Sequence, residues 1–459
     1  MIASIVRNIV MEKRLPGQLV VQITDRCNAR CPQCGMRVTE KFPRSVLSAD
    51  EIRKIIDSAA EKGFQAISFT GGEPMLMADE LAEMIRHAGQ AGIPYIRTGT
   101  NGFFFAGSHE SGFEKKISRI AEKLSQTSLR NFWISIDSTL PDVHEQMRGF
   151  PGLISGIRKA LPIFHEHGIW PSANLGINRN LTEKTMNVLP PDAEGYENFL
   201  CAFYENFREA FRSFYRFAAD LGFTIVNSCY PMSFSASDSE SLQAVYAAGS
   251  DDSVVKFPAA EKMLLFQALS DTIPEFRSQI RIFSPRTSLY ALIRQYEKHC
   301  DRESLSLMEK HLRFSGKKLQ ENNGNPGGKK QVFSPYPCRG GLDFFYISAG
   351  DGNTYPCGYR GDENLGKFQY MKPAKNQSAC LRCDWECFRD PSELAGPVLQ
   401  ALSDPLGLMR KIRNDPQYLR VWIKDMAYYK ACDFFDGRRP PDYRKLARFR
   451  KKTITRHET

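Results

Sequence analysis

The chain has 459 residues, of which 42% are hydrophobic, 11% aromatic and 25% charged, and its formal net charge is +10. This composition is that of a globular protein with roughly two to four domains, and it excludes wholesale disorder and fibrous repeats. Because the sequence has neither an apolar run long enough to cross a membrane nor a start typical of a secretory signal, we expect a cytoplasmic protein. In that reducing compartment, twelve cysteines indicate metal binding or catalysis rather than disulfides.

The first half of the chain alternates segments typical of strands and of helices. Six strands are predicted, at 19–24, 66–69, 95–98, 132–136, 172–177 and 223–226. Helical segments separate them, and Ser48 followed by Glu51 is a capping box for a helix that begins near Ala49. Strands that alternate with helices predict parallel βαβ units. The predicted fold is therefore of the α/β class, a partial (β/α)6 barrel that falls short of the complete eightfold one.

Composition divides the chain into four expected parts. Residues 1–232 carry the barrel with a short N-terminal extension, and the polar, helix-prone interval 233–330 predicts a helical insertion and linker. Residues 331–395 contain a second group of cysteines and predict a small C-terminal domain, and residues 396–459 predict a basic helical segment. Nine basic residues stand against two acidic ones in 438–459, so most of the net positive charge lies there. Such a segment is either a solvated end or a contact for an anionic partner such as lipid headgroups.

Three cysteines follow the first predicted strand, Cys27, Cys31 and Cys34, with the spacing Cys-x3-Cys-x2-Cys. A tight loop with three thiolates can hold three corners of a cubane iron–sulfur cluster and leave the fourth iron open to a ligand. A zinc site needs a fourth Cys or His close by, and the dozen residues after Cys34 contain none. The spacing therefore favours a [4Fe–4S] cluster with an open iron.

The run Cys-Asn-Ala-Arg-Cys-Pro-Gln-Cys at 27–34, with Gly-Gly-Glu-Pro at 71–74, resembles the radical S-adenosylmethionine (SAM) superfamily over roughly residues 18–232. The resemblance implies that the open iron binds the amino and carboxylate groups of SAM. One electron then cleaves the sulfonium, and the resulting 5′-deoxyadenosyl radical takes a hydrogen atom from a substrate. It also implies an external one-electron reductant, flavodoxin-like or ferredoxin-like, and an organic substrate.

The resemblance assigns SAM contacts at the carboxyl ends of the strands, where α/β folds bind ligands. Gly71 and Gly72 would let the backbone approach the methionine end of SAM, and Glu73 would hold its ammonium group. A simple turn is the alternative for this motif alone. Asn101, which follows the third predicted strand, lies at the same rim.

Ser135 and Asp137 are alternate residues at the end of the fourth predicted strand and should point to one face. By resemblance, one or both would hold the ribose hydroxyls of SAM. The alternative for Asp137 is a buried carboxylate that caps the next helix. Asn178 follows the fifth predicted strand in a similar location and is the weakest of these assignments.

The second group of cysteines resembles the auxiliary-cluster region of SPASM and twitch radical SAM enzymes. Its pattern is Cys338-x13-Gly352-x4-Cys357, then Cys380-x2-Cys383-x3-Cys387. Gly352 is expected at the tip of a β-hairpin that brings the first two cysteines together. The full SPASM pattern has seven cysteines, and the x5 spacing within its second half is missing here.

We favour one auxiliary [4Fe–4S] cluster held by the hairpin cysteines and two of the three that follow them. Two clusters, at least one with an open iron, remain an alternative, and so does a structural zinc ribbon. Cys432 is too distant in sequence to assign. Cys229 closes the sixth predicted strand, where its thiol could return a hydrogen atom to a substrate radical; a small buried hydrophobe is the alternative.

The sequence thus predicts a radical SAM enzyme that abstracts hydrogen from a small-molecule or lipid-like substrate. A peptide-modifying SPASM maturase is the rival substrate class. The apolar stretch 5–11 and the aromatic, basic segment near the end of the chain suggest peripheral membrane contact, with ordinary helix packing as the alternative. From other classes, a zinc-stabilised nucleic-acid-binding protein and an iron–sulfur electron-transfer protein remain open. Because the body of the chain is nearly neutral, we expect no nucleic-acid partner.

Overall fold

The computed structural model describes residues 15, 17–34, 44–186, 196–231, 253–297, 300, 336–371, 380 and 384–450. The strands are β1 (Gln18–Thr24), β2 (Ala66–Gly71), β3 (Tyr95–Thr100), β4 (Leu129–Ser135), β5 (Ser172–Gly176), β6 (Ile225–Cys229), β7 (Arg281–Phe283), β8 (Phe344–Ile347) and β9 (Thr354–Tyr355). The helices are α1 (Ala49–Glu61), α2 (Ala78–Gln90), α3 (Phe113–Ser125), α4 (Pro141–Arg148), α5 (Leu153–Glu166), α6 (Glu183–Met186), α7 (Tyr196–Leu221), α8 (Ala259–Phe276), α9 (Arg286–Glu297), α10 (Glu386–Ser403), α11 (Pro405–Asn414), α12 (Pro416–Ala431) and α13 (Tyr443–Leu446).

The strands form one sheet in the order β7-β6-β5-β4-β3-β2-β1-β8-β9. All neighbours from β7 to β8 are parallel, and β9 returns antiparallel to β8. Helices lie between the successive strands β1 to β7, as parallel crossovers require. This arrangement confirms the predicted α/β class with a partial barrel of parallel strands.

The main hydrophobic core lies between the outer face of the sheet and its helices. In β1 the residues Leu19, Val21 and Ile23 enter this core because alternate side chains of a strand point to the same face. Helix α1 begins at the predicted capping box: Ser48 Oγ accepts a hydrogen bond from the Glu51 backbone N–H at 3.3 Å, and the Glu51 carboxylate accepts one from Ser48 N–H at 3.1 Å. Local sequence thus determined where the first crossover helix starts.

The sheet contains more parallel strands than the six predicted. Strand β7 lies inside the interval 233–330, where a helical insertion was expected, and it pairs with β6. Three residues that include an arginine are too short to show the alternation typical of a strand. Likewise, β8 from the predicted auxiliary region pairs with β1 and so continues the barrel sheet. The sixth strand runs to Cys229 and not only to residue 226.

The concave face of the sheet is covered at both ends by later parts of the chain. At one end, Val20 packs with side chains of β8 against Trp385 and Phe388 at the start of α10. At the other end, Tyr428 of α12 caps β7, because its hydroxyl accepts from Ile282 N–H at 2.9 Å and donates to Ile280 O at 3.0 Å. Between the two covers, polar strand residues that alternate with the outer-core positions stay partly accessible: Thr70, Arg97, Ser135, Asn174, Asn227 and Cys229.

Several predictions fall on parts of the chain outside the described residues. These are the apolar stretch 5–11, residues 233–252 and 301–330 of the predicted insertion and linker, the end 451–459, and Cys383. Among the helices that are described, none has both the length and the hydropathy needed to span a bilayer. The division into four domains stays a prediction. The structure changes it in one respect, because β7 and β8, from the second and third predicted parts, pair with strands of the first.

Candidate functional site

The three loop cysteines lie directly beyond the carboxyl end of β1. Cys31 is buried, while Cys27 and Cys34 are half-buried, and Cys34 N–H donates to Cys31 O at 3.1 Å to form a turn. The loop is therefore a compact feature at the rim of the barrel, where ligands of parallel α/β folds bind.

Side chains from distant elements donate hydrogen bonds to these sulfurs. Arg148 Nη1 lies 3.4 Å from Cys31 Sγ, and Asn101 Nδ2 lies 3.8 Å from Cys27 Sγ. The Ala29 backbone N–H also donates to Cys27 Sγ at 3.4 Å. Burial raises the pKa of both thiols. At Cys31 the guanidinium of Arg148 opposes part of that rise. Such donors stabilise thiolates, which are the form that ligates iron, so the loop fits a cluster.

Arg148 joins the cysteine loop to Asp137 and was missed by the sequence analysis. Its Nη2 lies 2.5 Å from Asp137 Oδ2, and both side chains are largely or fully buried. Burial raises the pKa of Asp137, and Arg148 opposes that effect. In the structure the carboxylate is therefore paired with an arginine, and a role on the ribose of SAM stays a prediction. The sequence offered only a general signal for this pair, namely that a buried carboxylate such as Asp137 needs a cation nearby.

The structure explains glycine at positions 71 and 72 by a close contact between backbones, which differs from the predicted approach to SAM. A Cβ on Gly71 would lie 2.0 Å from Thr24 O, and one on Gly72 would lie 2.1 Å from Arg26 O. Gly72 N–H donates to Thr24 O at 2.8 Å, and Glu73 N–H donates to Arg26 O at the same distance. The motif thus presses against the backbone at the start of the cysteine loop and holds it in place. Whether its backbone also contacts SAM is untested.

Glu73 is fully buried beneath this contact. Its Oε1 accepts from Met75 N–H at 3.0 Å and its Oε2 from Asn101 N–H at 2.6 Å, so it ties β2 to the end of β3. Burial raises the pKa of Glu73 to about 7. Asn101 in turn donates to Asn28 Oδ1 at 2.9 Å, which places the predicted residue against the cysteine loop.

The other two predicted SAM contacts lie at the same rim. Asn178 is buried and donates to Asp137 O at 2.9 Å and to Gly176 O at 2.7 Å, so its amide braces the ends of two strands. Ser135 ends β4 and is half-buried on the concave face. The structure thus brings the predicted rim residues together, and their contacts with SAM stay predictions.

Cys229 ends β6 and lies on the concave face, as the predicted pocket position required. The Asn174 amide donates to its Sγ at 3.3 Å, and Asn227 contacts the same amide. Burial raises the pKa of Cys229 well above the ordinary value, so the group stays a neutral S–H. A hydrogen-atom donor must carry that hydrogen, which makes the protonation state compatible with the predicted role.

The auxiliary cysteines divide into two environments. Cys338 N–H donates to Cys380 O at 3.0 Å, and Cys357 is buried beside both of them. Gly352, with φ of 65°, lies in the turn between β8 and β9, so the predicted hairpin is confirmed. Backbone N–H groups of Gly340 and Tyr359 donate to the Cys338 and Cys357 sulfurs at 3.4 Å. These three cysteines fit a shared site.

Cys387 faces a different neighbourhood. It lies in the first turn of α10, where Arg97 Nη2 of β3 is 3.8 Å from its Sγ and Glu386 Oε1 is at the same distance. Its charged neighbours are Glu386, Arg97 and Asp390, and the position projects toward the concave face near Cys229. Cys432 lies elsewhere, in a small core with Tyr428 and Phe435 of the C-terminal segment.

Among the described residues, no three Cys, His, Asp or Glu side chains converge closely enough to hold a single metal ion. Three thiols spread over one loop suit a cluster better, because each corner of a cubane takes one thiolate.

Residues 21–186 match the family model described as Radical SAM superfamily. The chain is 30% identical over 170 residues to a protein named probable GTP 3′,8-cyclase of Methanococcus maripaludis, covering 37% of this chain and 51% of that protein. It is 29% identical over 160 residues to an AdoMet-dependent heme synthase of Oleidesulfovibrio alaskensis, covering 35% and 38%. The chain thus spans about half, or less, of the length of these relatives.

Among solved structures, Streptococcus suis SuiB bound to SAM is similar over 77% of this chain and 64% of its own, with 13% identity and a TM-score of 0.43. The family match covers the cysteine loop, the Gly-Gly-Glu-Pro motif and the rim residues through Asn178. Domains of this family use a [4Fe–4S] cluster and SAM, and the sulfur environment described above fits that cluster. The match to the radical SAM superfamily therefore lies in residues 21–186, the part of the chain that carries the candidate site.

Proposed function

We propose that the chain is a radical SAM enzyme that takes a hydrogen atom from a small-molecule or lipid-like substrate. When bound, the [4Fe–4S] cluster and SAM would supply an electron, from a flavodoxin-like or ferredoxin-like donor, and the 5′-deoxyadenosyl radical. The observation that carries the proposal is the loop of Cys27, Cys31 and Cys34, with Arg148 and Asn101 donating to its sulfurs.

The chain's own residues would orient the cofactors and exclude water. Cys27, Cys31 and Cys34 would hold the cluster. Gly71 and Gly72 would keep the loop at the rim and let the backbone approach the methionine end of SAM, and Glu73 would hold its ammonium group. Asn101, Ser135, Asp137 and Asn178 are the proposed contacts for SAM around the same rim. Arg148 would hold the Cys31 thiolate and the Asp137 carboxylate in one buried ion pair.

An auxiliary [4Fe–4S] cluster is proposed in the second cysteine region. Cys338, Cys357 and Cys380 lie together, and Cys383, which is outside the described residues, is the proposed fourth ligand. Cys387 packs on the same small core as Cys338 and Cys357, but its sulfur contacts Arg97 and Glu386, so Cys383 is the preferred fourth ligand.

The concave face favours a polar substrate within the proposed class. Arg97, Asn174, Asn227 and Glu386 lie around Cys229, and half-buried polar groups favour ligands that can satisfy them. A lipid-like substrate would then place a polar head, rather than its chain, beside Cys229. That thiol is the proposed donor that returns a hydrogen atom to a substrate radical.

The experiment is anaerobic reconstitution followed by incubation with dithionite and SAM. We expect a brown protein that releases 5′-deoxyadenosine, and deuterium from a labelled substrate in that product would identify the attacked carbon. Cys31→Ala should abolish the release, because one ligand of the proposed cluster is lost. Cys201→Ala is the matched control, since this half-exposed cysteine lies in α7, away from the loop.

The same assay separates the alternatives. A brown protein that leaves SAM intact would indicate an electron-transfer protein, and a colourless zinc protein with salt-dependent nucleic-acid binding would indicate the third class. Label transfer from a peptide, with none from small molecules, would favour a peptide maturase. A cytoplasmic location and peripheral contact of the basic C-terminal segment with a membrane belong to the same proposal.

A further inference from the structure

Helix α11 is exposed on an apolar and basic face. None of its ten residues is buried, and Leu406 and Met409 are each 66% exposed. Arg410 and Arg413 are exposed as well. Residues 406, 409, 410 and 413 follow the i, i+3, i+4, i+7 spacing that lines one side of a helix. Two long aliphatic side chains and two arginines therefore share the outward face of α11.

The helix is held in place by its opposite side and its start. Lys411 points inward, with its Nζ 3.4 Å from the centroid of the Tyr336 ring. Asp404 caps the helix by accepting a hydrogen bond from Gly407 N–H at 2.8 Å. Because α11 is anchored in this way, the exposure of Leu406 and Met409 belongs to the folded protein.

The helices before and after α11 continue the same surface chemistry. At the end of α10, Val398 is 41% exposed and Leu402 is 42% exposed. In α12, Ile423 is 53% exposed between Arg420 and Lys424, both exposed. Since α11 packs against both helices, these side chains enlarge one apolar and basic region.

The nearby carboxylates do not neutralise this region. Asp425 is buried, paired with Arg277 and hydrogen-bonded to Thr287 at 2.8 Å. Asp415 accepts from the Tyr290 hydroxyl at 2.8 Å and from Tyr418 N–H at 3.2 Å. Asp404 and Asp415 keep their charge, but residues 404–424 carry five basic residues against these two acidic ones, so the region has a net positive charge toward solvent.

We propose that the outward face of α11 binds the surface of a membrane that contains anionic phospholipids. Leu406 and Met409 would enter the boundary between headgroups and acyl chains, while Arg410 and Arg413 would bind lipid phosphates. A helix that directs apolar side chains straight outward suits a flat lipid surface, and the flanking cations supply the charge complementarity. The inference narrows the membrane contact within the proposed function to one helix face, and it does not depend on SAM chemistry.

The test is cosedimentation of the full chain with vesicles of phosphatidylglycerol and phosphatidylcholine, against vesicles of phosphatidylcholine alone. We expect binding to the anionic vesicles that weakens as salt is raised. The double variant Leu406→Ser, Met409→Ser should reduce partitioning by about tenfold or more, because insertion of apolar side chains provides much of such binding. Arg410→Glu with Arg413→Glu should remove the preference for anionic lipid.

Tyr370→Ser is the matched control, because this 80% exposed side chain lies in another surface region and its loss should leave partitioning unchanged. Unchanged melting temperature and SAM cleavage in solution would show that the double variant is folded. Absence of binding to anionic vesicles, or binding that the double variant does not reduce, would overturn the inference. So would a concentration-dependent dimer, without lipid, that the double variant abolishes, since the face would then be an interface between two copies of the chain.

Discussion

The two cysteine regions differ in the side chains that surround their thiols. In the loop after β1, the sulfurs receive hydrogen bonds from Asn101 and Arg148, side chains of the barrel itself. Backbone N–H groups two residues further along the chain donate in both regions, from Ala29 to Cys27 and from Gly340 and Tyr359 to Cys338 and Cys357. The first site is therefore tied to a buried ion pair of the barrel, whereas the charged and polar neighbours of Cys338 and Cys357 belong to later parts of the chain, Arg360 and, on α10, Arg389 and Ser392.

This difference has a consequence for the thiol chemistry. Burial raises the pKa of Cys357 to about 12, and the nearest cation, Arg360, is itself paired with Glu363. At Cys31 the same effect of burial is opposed most strongly by Arg148, whose guanidinium is buried beside the sulfur. We therefore expect perturbation of the barrel to affect the first site and to leave the second largely intact.

The largest expected effect is a difference in iron content between variants of two auxiliary cysteines, Cys357 and Cys387. Cys357→Ala should lose the iron of the auxiliary cluster, while Cys387→Ala should retain it, because Cys387 contacts Arg97 and Glu386 instead of the other three cysteines. The measurement is iron and sulfide content after anaerobic reconstitution, with Cys201→Ala as control. An equal loss of iron in both variants would make Cys387 a ligand and remove the distinction.

The second prediction concerns the buried ion pair. Arg148→Met should lower the free energy of unfolding by about 3–5 kcal/mol, because it leaves the Asp137 carboxylate buried and unpaired. Arg360→Met, which breaks a partly exposed pair beside the other site, should cost only about 0–1 kcal/mol. Denaturant unfolding measures both. Adding Asp137→Asn to Arg148→Met should recover part of the loss, and no recovery would contradict the unpaired charge as its cause.

The third prediction compares a glycine from each region. Gly72→Ala should destabilise the protein by about 1–3 kcal/mol, because its Cβ would lie 2.1 Å from Arg26 O. Gly350→Ala, in the hairpin between β8 and β9, meets nothing closer than Ser348 Oγ at 3.5 Å and should change stability by less than about 0.5 kcal/mol. Thermal or denaturant unfolding distinguishes the two, and similar values for both would argue against the close contact of Gly72.

The fourth prediction is a pH dependence at the first site, which is small near neutral pH and grows only as the pH falls. His144 is buried and its Nδ1 accepts from Asp137 N–H at 3.2 Å, and burial lowers the pKa of His144 to about 3. Since an unfolded histidine titrates near 6.5, the unfolded state binds a proton that the folded state does not as pH falls below that value. This group should therefore reduce stability by up to about 1.4 kcal/mol per pH unit between about pH 6 and pH 4.

His144→Gln should remove that component and leave a shallower decline of stability with falling pH. The measurement is the free energy of unfolding at several pH values for both proteins. Parallel curves would contradict a neutral buried histidine. The carboxylates of the protein contribute equally to the pH dependence of stability in both proteins. The difference between the two curves therefore isolates the contribution of residue 144.

Local features of the sequence were sufficient for much of the first site. The cysteine spacing lies within eight residues, and the capping box of α1 within four, so both are readable without knowing how the chain folds. The alternation of strands and helices likewise indicated the α/β class. The short strand β7, by contrast, has no periodicity of its own, and its pairing with β6 defines it.

The contacts that distinguish the two regions join residues far apart in the chain. Arg148 and Cys31 are 117 positions apart, and Arg97 and Cys387 are 290 apart. No spacing rule reaches across such intervals, because side chains this distant meet only after the sheet has brought their strands and helices together. The sequence by itself determined which residues are predicted to hold a cluster and bind SAM, because their spacing is local. The tertiary structure decided which charges surround each thiol, since burial and ion pairing are properties of the assembled barrel.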